Sequence, residues 1–87
     1  MLVLVMPTVL RFDGLRVVIY PNDHRPAHVH VMSASEEAVF ILNCPGGPPV
    51  LRQNFGFRAS DLTRIVHRLQ DEIVGLCRQW SEQHGEF

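Results

Sequence analysis

Three of the chain's five histidines lie within seven positions, in the segment Asn22-Asp23-His24-Arg25-Pro26-Ala27-His28-Val29-His30-Val31. His28 and His30 are two apart, so on an extended strand both rings project from one face. Imidazole is the commonest metal ligand and the side chain whose charge changes nearest neutral pH. Three such rings at the junction of two apolar runs make this segment the place to look for chemistry.

Three kinds of chemistry suit it. In the first, His24, His28 and His30 offer three nitrogens to Zn²⁺ or a similar divalent ion, with Asp23 or Cys44 as a fourth ligand. In the second, the histidines act without metal as base and acid in RNA cleavage. Arg25, Arg11, Arg16 or Arg52 then offset phosphate charge, and Tyr20 donates a hydrogen bond. His24, His28, His30, Arg25 and Tyr20 are thus the candidate catalytic set. The third reading is structural. His28 hydrogen-bonds a backbone carbonyl and fixes the Pro26 turn, while His30 lies in a subunit interface. Outside the metal reading, no cofactor is called for.

The whole chain constrains these readings. Its 87 residues, 46% hydrophobic and 20% charged, suit one folded domain over 1–87. A core this small gains from oligomerisation, and a homodimer is expected. The formal net charge is -1, and the eight basic residues include no Lys. That balance weighs against strong non-specific nucleic-acid binding, which needs an excess of cations. Cys44 and Cys77 lack a C-x-x-C spacing and are expected to be two free thiols in a reducing cytoplasm. Met1 to Met6 is apolar but too short to span a bilayer and lacks a basic flank, so no membrane association is expected.

The elements that must hold the histidines follow from pattern. Thr8 to Phe12 reads as a strand, Asp13-Gly14 as a hairpin turn needing positive φ, and Leu15 to Tyr20 as the returning strand. Pro21-Asn22-Asp23 breaks that strand. His28 to Met32 forms the third, with Val29 and Val31 on one face and the histidines on the other. After a polar turn at Ser33 to Glu37, Ala38 to Leu42 is apolar on both faces and is expected inside the sheet. Cys44-Pro45-Gly46-Gly47-Pro48-Pro49 must be a loop, and Val50 to Arg52 a short edge strand.

From a Ser60 N-cap onward, Leu62, Ile65, Val66, Leu69, Ile73, Leu76, Cys77 and Trp80 recur at helical spacing. The expected fold is α+β: an antiparallel sheet of about four strands within 8–52, beginning with a β-hairpin. A single long C-terminal α-helix over 60–84 covers one face. Apolar residues left on the other face suit a dimer interface or a packed N-terminal segment. Met1 to Val5 read as an N-terminal extension.

Four places together resemble the small bacterial and archaeal proteins of domain-of-unknown-function family 4160. They are Met6-Pro7-Thr8-Val9-Leu10, His24-Arg25-Pro26-Ala27-His28-Val29-His30-Val31, Asn54-Phe55-Gly56-Phe57, and Leu76 with Trp80 and Gly85. The second resembles that family's His-x-Pro-Pro-His-x-His-Val signature, with Ala27 in place of its second proline. The resemblance implies a component of a toxin–antitoxin-like pair, partnered by a small protein encoded nearby and acting by protein contact; action on RNA is what the histidine segment adds. The alternative is a metal-binding or purely structural interaction domain without catalysis.

Overall fold

The structure, a computed structural model, describes residues 8–87. Five strands, β1 (Thr8–Phe12), β2 (Leu15–Val18), β3 (His28–Met32), β4 (Glu37–Ile41) and β5 (Val50–Phe55), precede two helices, α1 (Ala59–Asp71) and α2 (Ile73–His84). The strands form one antiparallel sheet in the order β1-β2-β3-β4-β5. The α+β class and the antiparallel sheet are as the pattern predicts. The expectations for Met1 to Val5 and for a packed N-terminal segment lie outside the described residues.

Turn chemistry explains the first hairpin. Asp13 and Gly14 have φ of 50° and 74°, both in the left-handed region that Asp and Gly tolerate best. Cross-strand register then sorts the faces. Val17, Val31 and Ala38 align, as do Val29 and Phe40, and all are buried in the core. Val18, His30 and Val39 align on the opposite face. As expected, β4 is an interior strand, hydrogen-bonded on both sides.

The sheet has five strands rather than about four. β5 runs on to Phe55 because Gln53 and Asn54 stay paired with Val39 and Ala38 across an irregularity at Val39/Phe40. Two amides with low strand preference hide that extension from pattern reading.

The predicted single helix is two. Glu72, at φ -104° and ψ 12°, interrupts it, and its N–H is shared between the carbonyls of Arg68 (3.2 Å) and Leu69 (3.1 Å). This tighter turn does not break the apolar stripe: Ile65, Leu69, Ile73, Leu76, Cys77 and Trp80 all enter one core. The helix begins at Ala59 with Arg58 in the N-cap position, so Ser60 lies in the first turn and is not the cap. Asp61 reaches back to accept from the Arg58 N–H at 3.3 Å, satisfying one of the otherwise unpaired amides.

The two cysteines are not free thiols. Cys44, at the start of the β4–β5 loop, and Cys77, on the buried stripe of α2, form a disulfide with Cα atoms 5.8 Å apart. Tertiary packing of the helix brings them together, and spacing along the chain carries no sign of it.

One end of the sheet gathers the features that matter for chemistry. The β2–β3 loop, the β4–β5 loop and the segment after α2 all meet there. Ala27 donates to the Phe87 carbonyl at 3.0 Å, Leu42 donates to Ala27 at 2.9 Å, and a His84 ring nitrogen contacts the Tyr20 carbonyl at 3.1 Å. No helix among the described residues is long and apolar enough to cross a membrane.

Candidate metal centre

The β2–β3 loop places an acid beside the two strand histidines. Asp23 closes the turn after β2: its N–H donates to the Tyr20 carbonyl at 3.1 Å, and its Oδ2 accepts from the Tyr20 N–H at 2.9 Å. One carboxylate oxygen is therefore committed to the backbone. The other, Oδ1, faces the rings, 3.4 Å from Nε2 of His28 and 3.4 Å from Nε2 of His30. One donor atom from each of Asp23, His28 and His30 lies within 4.8 Å of the other two.

The opposite ring nitrogens fix the chemistry of this convergence. His28 Nδ1 lies 2.9 Å from the Pro26 carbonyl oxygen. A carbonyl can only accept, so Nδ1 carries the proton, and in the neutral ring Nε2 has a bare lone pair. His30 faces a carboxylate at each ring nitrogen, Glu37 Oε2 at 3.2 Å from Nδ1 and Asp23 Oδ1 at 3.4 Å from Nε2. The two Nε2 atoms and a carboxylate oxygen thus converge on one point. With the proton of each ring on Nδ1, three lone-pair donors face one another and attract a cation into the space between them.

Aromatic packing holds the rings. His28 and His30 sit edge to face with centroids 5.3 Å apart. Tyr20 packs on His30 at 4.9 Å, and Trp80 packs on His28 at 5.3 Å. The site is enclosed: side-chain exposures are 9% for His28, 16% for His30 and 13% for Asp23.

The structure divides the sequence-predicted residues. His28 and His30 come together as the strand period requires, and His28 also makes the expected backbone contact with Pro26. His24 is exposed and outside the group. Cys44 is in the disulfide and offers no thiolate. The exposed Arg25 pairs with Glu86 at 2.6 Å. Tyr20 supports His30, and its hydroxyl lies 3.9 Å from Met32 Sδ. Asp23, first read only as a fourth ligand, belongs to the central three.

Glu37, read as part of a turn, supports His30. The β3–β4 register carries the missing signal. With Met32 opposite Glu37 and His30 opposite Val39, Glu37 is a diagonal same-face neighbour of His30.

A separate cleft of about 480 Å³ lies at the other end of the sheet, lined by Phe12, Leu15, Phe57 and Ile65 with Asp13, Glu36 and Asp61. It shares no residue with the histidine site.

Compared with known families, residues 14–84 match the model described as Domain of unknown function (DUF4160). No curated protein and no solved structure matches the chain.

Proposed function

From the premise that this chain belongs to the DUF4160 family, we propose that it is a metal-binding protein. In this reading Asp23 Oδ1, His28 Nε2 and His30 Nε2 hold one divalent ion of the zinc class. One observation carries the proposal. Both Asp23–His separations are 3.4 Å, and ligands bonded at the usual 2.0–2.1 Å in a tetrahedral zinc site lie about 3.3 Å apart. Two imidazoles with one carboxylate suit zinc and its neighbours better than magnesium or calcium, which prefer all-oxygen shells. Pro26 and Glu37 supply the partners that metal-bound histidines require on the second ring nitrogen.

Protons are the competing cations. A proton on either ring would give an ordinary pair with Asp23 Oδ1 at 3.4 Å, so metal uptake is the property that separates the two readings. The enclosed ligands and the Arg25–Glu86 pair give less support to RNA cleavage, which needs a phosphate against the rings and a free guanidinium beside it.

The test is elemental analysis of untagged protein after a chelator wash, then zinc titration by calorimetry. Stoichiometric zinc in the wild type and in His24→Ala, with loss in His28→Ala and in His30→Ala, supports the reading. Equal uptake by all four, or by none, removes it.

On the family resemblance, we further propose that the domain is the protein-contact member of a toxin–antitoxin-like pair. Co-purification with the product of the neighbouring gene tests this, and failure of the two to associate counts against it.

A further inference from the structure

We propose that residues 84–87 form a latch that sets the metal affinity of the Asp23–His28–His30 site. This inference rests on the metal reading above. It starts from one peptide group, the unit joining Pro26 to Ala27. Its carbonyl oxygen accepts from His28 Nδ1 at 2.9 Å, and its N–H donates to the Phe87 carbonyl at 3.0 Å. The latch therefore holds the peptide that holds the ligand ring. A hydrogen bond at the N–H polarises the same unit's carbonyl and makes it a better acceptor. That favours the Nδ1–H tautomer and leaves Nε2 for the metal.

Three further contacts seat the latch. The Trp80 indole Nε1–H donates to the Glu86 carbonyl at 2.8 Å. The same indole packs on His28 at 5.3 Å and on His84 at 4.3 Å. A His84 ring nitrogen contacts the Tyr20 carbonyl at 3.1 Å, and Tyr20 is the residue whose N–H anchors the second oxygen of Asp23. The latch thus reaches His28 through Ala27 and Asp23 through Tyr20. Gly85 makes the reversal, at φ 81°.

Coupling between two equilibria is reciprocal. If latch closure strengthens metal binding, metal binding must favour closure by the same factor. The latch is exposed at Gly85 to Phe87, so anything that draws this segment away would lower metal affinity.

The experiment pairs two glycines. A Cβ at Gly85 meets nothing within 4 Å, so Gly85→Ala acts only through its positive φ. Gly14, at φ 74° in the β1–β2 turn at the far end of the sheet, is equally open. Gly14→Ala is therefore a control for introducing a side chain at positive φ away from the latch. Zinc affinity is measured by competition with a chromophoric chelator for the full chain and both variants. Gly85→Ala should bind about tenfold more weakly, the low end for loss of an outer-shell partner, while Gly14→Ala should bind as the wild type does. In the wild type, zinc should slow hydrogen exchange at the Ala27 amide.

Wild-type zinc binding with Gly85→Ala unchanged, with Gly14→Ala equally weakened, or with Ala27 exchange indifferent to zinc overturns the latch and leaves the metal site standing. No zinc binding by the wild type removes the metal reading itself.

Discussion

Reduction of the Cys44–Cys77 bond should destabilise the protein more than most single core substitutions. The two residues are 33 apart in sequence. Closing a loop of that length removes about 12 cal/mol/K of chain entropy from the unfolded state, or about 3.7 kcal/mol at 25 °C. Cys77 is only 3% exposed within the core, and the loop-entropy effect falls on the unfolded chain. Against a typical total of 5–15 kcal/mol, the loss is large.

The assay is urea unfolding with and without a phosphine reductant, followed by the fluorescence of the single Trp80 and by far-ultraviolet circular dichroism. With an m-value of about 2 kcal/mol/M, the midpoint should fall by roughly 2 M. The slope should also steepen, because the uncrosslinked chain exposes more surface. The double variant Cys44→Ala/Cys77→Ala should reproduce the reduced curve and ignore the reductant. Coincident curves for oxidised and reduced protein would refute the loop-entropy reasoning.

Further outcomes follow from burial and from the metal site. Leu69, fully buried between α1 and the sheet, should cost about 2–5 kcal/mol as Leu69→Ala in the same unfolding assay. Glu37→Gln keeps the side-chain shape but removes the carboxylate that orients His30, and should weaken zinc binding roughly tenfold by chelator competition. Zinc should raise the melting temperature, as any ligand of the native state does. That gain should shrink on acidification, since protons compete for the ligand lone pairs.

Local chemistry made much of this molecule legible before its structure. Asp13-Gly14 predicts its own turn because positive φ at two successive positions is a property of those residues. Val29 and Val31 against His28 and His30 predict the two faces of β3 because side chains alternate on any strand. Helical spacing alone puts Trp80 and Cys77 on the buried stripe, where the structure has them.

What stayed hidden was set by tertiary geometry. Cys44 meets Cys77 only through the path of α2 over the sheet, and Glu72 interrupts the helix without a Pro or Gly to announce it. His24 looked equivalent to its neighbours by type, yet the loop turns it to solvent and turns Asp23 inward. His84, at the end of the predicted helix, carries no sign in the pattern of the contacts that the structure gives it with Tyr20 and Trp80.

The strand order has a consequence for how the site is assembled in time. Every ladder joins sequence neighbours, so each can zip from its own turn, and such local pairing is the fast kind. Asp23 and His30 are 7 residues apart, so the cost in chain entropy of bringing them together is small. The cover arrives from much farther: His84 reaches Tyr20 across 64 residues, and Glu86 reaches Arg25 across 61. The ligands can therefore gather before the segment that encloses them has travelled back across the chain. On the proposed metal reading, an ion that meets the emerging β2–β3 hairpin would find its donors still open to solvent, and the closing of the helix end would then slow its escape.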